Sequence, residues 1–157
     1  MLAILLAFLQ DPSYDTQVLE AGERIDRTVS RDLDADGKPD LLVQNGRDLH
    51  LFLSKEGRFG PKPSQTLRLD PSVQLWCLSP GTPPRLFTAG PRGLQELGFQ
   101  SPPRDLVVHP SLFRHGSGTG GAPGFIPFAP DLDADGRSEL LLFTEEEILI
   151  FKESKDG

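Results

Sequence analysis

Four carboxylates fall within nine residues at Asp32, Asp34, Asp36 and Asp40, and the same density returns at Asp131, Asp133, Asp135 and Glu139. Crowded carboxylates repel one another unless a cation sits among them. In a tight loop, alternate residues point toward one centre. A glycine at the sixth position, Gly37 or Gly136, lets the backbone turn so that the carbonyl of the seventh residue, Lys38 or Arg137, joins the set. Hard oxygen ligands in that number favour calcium over magnesium, which demands a stricter octahedron and keeps its waters. A solvated acidic turn without an ion is the plain alternative, and two copies sharing both spacing and glycine argue against it. An EF-hand begins in the same way, but its twelfth position supplies a bidentate Glu, where this chain has Val43 and Leu142 in strand-like runs. The last ligand comes at the ninth position, directly before a strand, which describes a static hairpin clip rather than a helix-pair sensor.

The elements around these loops repeat as well. Asp32 to Gly37 is identical to Asp131 to Gly136, a shift of 99 residues, and Asp48-Leu-His-Leu-Phe-Leu53 corresponds to Glu147-Ile-Leu-Ile-Phe-Lys152. A degenerate copy lies between them: Leu86 is 45 residues after Leu41 and 54 before Leu140, and Leu94 keeps the same offsets from Leu49 and Ile148. The middle copy has Ser79-Pro-Gly-Thr-Pro-Pro84 in place of the acidic loop. Three units of about 50 residues match the length of a four-stranded propeller blade.

Short apolar runs at 41–43, 49–53, 67–69, 73–78, 106–108, 140–143 and 148–151, separated by Gly, Pro, Asn or Asp, read as strands covered on both faces. The 15–25 stretch is interrupted by Gly22 and reads as a lead-in strand or loop, and 116–124 as a flexible loop. The expected fold is all-β: about three four-stranded antiparallel blades of a β-propeller in an incomplete ring. The expected division is a signal segment at 1–10, a lead-in at 11–24, and a first unit with an acidic loop at 25–70. A second unit without the loop follows at 71–109, and a third, incomplete, with the loop at 110–157.

Of 157 residues, 37% are hydrophobic and 25% charged, with 16 Gly and 15 Pro, enough apolar material for one domain with many turns. The net charge of −7 opposes contact with nucleic acid and anionic lipid and favours cations. Leu2 to Leu9 is too short to cross a bilayer, which takes about 20 residues, and suits the apolar region of a secretory signal, a buried terminal strand being the alternative. The lone Cys77, beside Trp76, reads as a buried core thiol and excludes an internal disulfide. His109 and His115 lack a third zinc ligand, and with His50 they read as solvated or hydrogen-bonded. No Gly-x-Ser-x-Gly elbow marks a nucleophile, the run 115–121 lacks the Gly-Lys-Ser/Thr ending of a phosphate loop, and Glu145 to Glu147 reads as a charged hairpin turn.

Asp-x-Asp-x-Asp-Gly-x-x-Asp followed by Leu-Leu-Val resembles the FG-GAP, or VCBS-type, repeat of integrin α-subunit propellers and of many secreted bacterial proteins. The resemblance covers roughly 25–70 and 125–151. It implies a propeller of about seven blades, with calcium held between the first two strands of a blade and a role in adhesion or binding to protein or carbohydrate. On that pattern Asp32, Asp34, Asp36 and Asp40 are ligands in the first unit, and Asp131, Asp133, Asp135 and Glu139 in the third. Gly121-Ala-Pro123 precedes its acidic loop, whereas the family's Gly-Ala-Pro follows it, and Glu139 replaces the usual Asp. The reading is a non-enzymatic, calcium-stabilised module of a secreted, surface or periplasmic protein. The alternative is an N-terminal fragment of a larger secreted propeller enzyme or transport component whose active site lies outside this chain. Three blades are too few to close a ring, so the outer faces of the first and third, with Phe52 and Phe151, are expected bare, leaving the chain to self-associate or meet missing blades.

Overall fold

Alternating short apolar runs and turn residues leave the backbone one economical solution, the antiparallel hairpin, and every described element is a strand. The computed structural model describes residues 16–99, 101–107, 121–143 and 147–153, and among them there is no helix. The strands are β1 (Arg27–Arg31), β2 (Asp40–Asn45), β3 (Asp48–Phe52), β4 (Ser54–Lys55), β5 (Arg58–Phe59), β6 (Gln65–Arg68), β7 (Leu75–Leu78), β8 (Leu86–Gly90), β9 (Gly93–Leu97), β10 (Arg104–Val107), β11 (Gly124–Phe125), β12 (Leu140–Phe143) and β13 (Ile148–Phe151). Unit 1 is the antiparallel sheet β1-β2-β3-β6, and unit 2 is β7-β8-β9-β10 with β11 added in parallel to β7. β4 and β5 form a small hairpin, and β12-β13 is the hairpin of unit 3. The result is an open, propeller-like series of sheets with no closed barrel.

The three hairpins share one register. Leu41 lies opposite Phe52, Leu86 opposite Leu97 and Leu140 opposite Phe151, so the three leucines hold one place in three hairpins. β1 was not legible in the sequence, because Arg27–Arg31 has one apolar residue, Val29. Pairing with β2, from Arg27 opposite Gln44 to Arg31 opposite Asp40, makes it a strand. In unit 3 the chain before the acidic loop takes the same position, with Leu141 N–H donating to the Phe128 carbonyl (2.8 Å) and Glu139 N–H to that of Pro130 (2.8 Å). The described residues of unit 3 supply no fourth strand.

The units are held by facing apolar surfaces. Leu42, Leu49 and Leu51 of unit 1 bury against Val73, Trp76 and Leu86 of unit 2. Cys77, Phe87 and Leu94 on its opposite face bury against Phe128, Ala129, Leu140 and Leu142. Burial pushes the Cys77 thiol up to about 12, so it is an inert core group. The expectation that Phe52 would lie bare is overturned: it is 1% exposed, packed with Ala21 and Val43, while Leu19 and Phe59 flank them. The lead-in supplies the cover, pinned by Glu20 N–H to the Pro61 carbonyl (2.7 Å), Asn45 Nδ2 to the Ala21 carbonyl (3.3 Å) and Phe59 N–H to Gln17 Oε1 (3.0 Å). Phe151 is half-buried against the Cys77 cluster, correcting its expected exposure as well. Ile148 and Ile150 are the residues of that strand left facing water.

One polar group joins all three units. Gln44, 2% exposed on β2, accepts from the Trp76 indole N–H through Oε1 (3.0 Å). Its Nε2 donates to the carbonyls of Pro123 (2.9 Å) and Gly46 (3.0 Å). Replacing it by Leu strands a buried indole N–H and the Pro123 carbonyl, so Gln44→Leu is expected to cost about 2–4 kcal/mol in urea unfolding. Adding Trp76→Phe should recover part of that loss, and additive losses in the double variant would show that the two side chains do not act as a pair.

Candidate metal centre

The two acidic loops bridge β1 to β2 and the 126–130 segment to β12, and the sequence dictates their shape twice over. Ala35 and Gly37 have φ of 65° and 83°, and Ala134 and Gly136 have φ of 58° and 85°. The left-handed glycine at the sixth position turns the chain as its lack of a Cβ allows, whereas the alanine two residues earlier adopts that conformation at a steric cost. Carboxylates of the loop gather its amides. Asp32 Oδ2 accepts from Gly37 N–H (3.0 Å), Asp34 Oδ1 from Asp36 N–H (3.1 Å) and Asp36 Oδ1 from Lys38 N–H (2.8 Å). In the second loop Asp131 Oδ2 accepts from Gly136 N–H (3.0 Å) and Asp135 Oδ1 from Arg137 N–H (2.9 Å).

The ninth-position carboxylate does a different job. Asp40 is fully buried, and it accepts from Leu33 N–H through Oδ2 (2.9 Å) and from Ser54 N–H through Oδ1 (2.8 Å). It thereby ties the acidic loop to the end of the β2-β3 hairpin. Glu139, 3% exposed, accepts from Leu132 N–H through Oε2 (2.6 Å) in the same way. Of the residues proposed from the sequence, Asp32, Asp34 and Asp36 bring oxygens within 4.8 Å of one another in the first loop, as do Asp131, Asp133 and Glu139 in the second. Asp40 and Asp135 lie outside those two groups. Lys38 and Arg137 are exposed, and Lys38 Nζ lies 3.6 Å from Asp36 Oδ2.

The loops differ in what neutralises them. In the first, Asp32 Oδ1 is buried with no hydrogen-bond partner, an unsatisfied acceptor on a residue of the carboxylate cluster. In the second, the equivalent oxygen, Asp131 Oδ1, accepts from Asp135 N–H (3.1 Å). There Lys152 Nζ sits 2.6 Å from Asp133 Oδ2 and 4.0 Å from Glu139 Oε1. The hydrogen bond from the ammonium lowers the Asp133 pKa, and the same bond raises that of Lys152. Sequence reasoning missed Lys152 as a participant. The shift of 99 places it where unit 1 has Leu53, so a charge at a repeat position otherwise apolar was the available signal.

The remaining candidates disperse. His50 Nδ1 lies 2.9 Å from Thr66 Oγ1 on the neighbouring strand, a hydrogen-bonded histidine as expected. His109, His115, residues 116–120 of the expected loop, Glu145, Glu146 and the 1–10 segment lie outside the described residues. A cleft of about 240 Å³ between units 2 and 3 is lined by Arg85, Arg104, Lys152 and Glu153 over Phe87 and Phe151. Arg85 is committed there, to Glu96 by two bonds (Nε to Oε1, 2.8 Å; Nη2 to Oε2, 2.7 Å) and to Glu153 Oε2 (3.2 Å). Neither family models, curated proteins nor solved structures give a match to this chain.

The Arg85 hydrogen bonds hold the Glu96 carboxyl below its ordinary 4.5. A lowered folded pKa stabilises above the unfolded value and is lost as pH falls through the folded one. Glu96→Gln should therefore reduce stability at pH 7 and flatten its decline below about pH 4.5, and an unchanged acid limb would remove the pair from the acid response. In calcium-free buffer Asp40→Ala, which leaves two backbone amides unpaired, is expected to cost about 2–4 kcal/mol, and the exposed Asp34→Ala less than about 0.5 kcal/mol. Equal effects in thermal or urea unfolding would refute the division between clamp and cluster.

Proposed function

We propose that this chain is a non-enzymatic, calcium-stabilised repeat module whose first acidic loop is its principal ion site. The supporting observation is the buried, partnerless Asp32 Oδ1 beside the Asp34 and Asp36 carboxylates, in a loop whose backbone bend is repeated 99 residues later. Calcium would be held by Asp32, Asp34 and Asp36 in unit 1 and by Asp131, Asp133 and Glu139 in unit 3. Oxygen-only ligands of this charge suit a hard divalent cation. An ion there neutralises carboxylates that otherwise repel one another and ties the end of β1 to the start of β2, so binding and folding are coupled. The resemblance to FG-GAP and VCBS-type repeats supplies the wider setting, a secreted or surface protein that binds protein or carbohydrate through loops at the ends of its sheets. The alternative is that the chain belongs to a larger secreted propeller enzyme or transport component.

The second loop already holds Lys152, which must leave Asp133 before an ion can enter. Two calcium ions would change the formal charge from −7 to −3. Calorimetry of the whole chain is expected to show the Asp32 loop filling at lower calcium than the Asp131 loop, each ion adding about 1.4 kcal/mol of stability at ten times its dissociation constant. Asp34→Ala should abolish the tighter event, and Lys152→Met should strengthen the weaker one by about tenfold or less, in keeping with an exposed pair. No calcium uptake, or magnesium bound as tightly as calcium, would overturn the proposal.

A further inference from the structure

Asn45 is the one asparagine of the chain, and a glycine follows it. A backbone nitrogen whose own residue carries no side chain is the least hindered nucleophile that a neighbouring carboxamide can meet, so this pair is where the chain can cyclise on itself. The Gly46 nitrogen attacks Asn45 Cγ, the Cγ–Nδ2 bond breaks, and the amide proton leaves with the departing ammonia. Water then opens the cyclic imide on either side, giving an aspartate or, with Cβ drawn into the main chain, an isoaspartate. The reaction takes no oxidant, metal or second reactant beyond water.

Both reacting groups are held in the folded chain, each by the segment 21–26. Asn45 Nδ2 donates to the Ala21 carbonyl (3.3 Å), and Gly46 N–H donates to Asp26 Oδ2 (2.7 Å). Asp26 is itself fixed, its N–H donating to the Gln44 carbonyl (2.9 Å) and its Oδ1 lying 2.7 Å from Arg24 Nε. A Cβ on Gly22 would collide with the Asn45 carboxamide nitrogen, so the lead-in lies directly on the group that must leave. Asn45 also ends the β2 ladder opposite Asp48, and an extended residue in a ladder is not free to swing its Cγ onto the next nitrogen. Reaction therefore waits for the lead-in and the turn to open.

We propose that Asn45 is a self-modification site guarded by the segment 21–26, and that its deamidation irreversibly releases the lead-in from unit 1. The product cannot reseat. An aspartate at this position has no hydrogen to donate to the Ala21 carbonyl and sets a carboxylate against it, between Asp26 and Asp48. An isoaspartate adds an extra carbon to the main chain at the end of β2, where the tight Gly46-Arg47 turn fixes the register of the hairpin. Once the lead-in lifts, Val43 and Phe52 lose their cover. The inference is independent of any bound ion.

Ageing the whole chain at mildly alkaline pH, in native buffer and in urea, tests this by ammonia release and by mass spectrometry of the peptide that carries Asn45. Asp36-Gly37 and Asp135-Gly136 can rearrange through the same imide, but they release no ammonia and change no mass, so the signal belongs to Asn45. The native rate is expected at least about tenfold below the rate in urea, as protection by local structure requires. Asp26→Ala and Gly22→Ala, which loosen the guard from two sides, should raise the native rate severalfold and leave the rate in urea unchanged. Asn45→Asp, which supplies the aspartate product directly, should bind hydrophobic dye and admit trypsin after Arg24. The aged wild-type chain should show both changes in proportion to the ammonia released, so the result does not rest on how well that variant folds. Equal rates in buffer and urea, an Asn45 that survives in urea, guard variants without effect, or an aged chain whose lead-in stays closed would each overturn the proposal.

Discussion

A sheet with apolar residues at consecutive strand positions has no face to offer water, and the packing of units 1 and 2 follows from covering both sides of each of their sheets. Leu42 and Val43 are neighbours on β2 and point to opposite faces, yet both are buried. One packs beneath unit 2 and the other beneath the lead-in. Phe87 on β8 turns toward unit 3, while Leu86 beside it turns back to unit 1. A single sheet of this composition would be insoluble; a series of them is a sequence of shared interfaces, each burying what its neighbour exposes.

Shared apolar faces set distance and leave orientation loose, and polar groups at the junctions fix it. Gln44 does so where three units meet, since its amide has two donor sites and one oxygen to satisfy and finds the Trp76 indole, the Pro123 carbonyl and its own turn. Backbone bonds reinforce the same seam. Gly124 N–H donates to the Gln74 carbonyl (2.8 Å) and Ile126 N–H to that of Trp76 (3.3 Å), so the entry to unit 3 runs parallel to β7. Phe125 meets Trp76 edge-on, with ring centroids 4.8 Å apart, and carries the Arg27 guanidinium on its face, which draws unit 1 to the same point.

The acidic loops belong to this scheme as the connections that lead into β2 and β12. A buried carboxylate at the ninth position is tolerated because backbone amides donate to it. The middle unit closes the same gap without acid: Ser79 N–H donates to the Arg85 carbonyl (2.9 Å) and Arg85 N–H to Ser79 Oγ (2.7 Å). The same join is thus made by a carboxylate in units 1 and 3 and by a hydroxyl in unit 2. The acid of the first and third loops therefore exceeds what hairpin closure alone requires.

The sequence alone determined the elements whose information is local. Repeat spacing, the left-handed glycines and the apolar runs placed the hairpins of all three units, including the one without acidic residues, because strand period and turn chemistry act over a few residues. It also located both carboxylate clusters. Tertiary structure decided what depends on residues distant in the chain. β1 is a strand because β2 pairs with it, and Phe52 is covered because the lead-in folds back some thirty residues. Gln44 is buried because Trp76 and Pro123 converge on it, and the second loop acquires its own ammonium because β13 brings Lys152 beside Asp133. Composition and spacing specify what a residue can do, and only the packing of separate strands settles which groups are near enough to do it together.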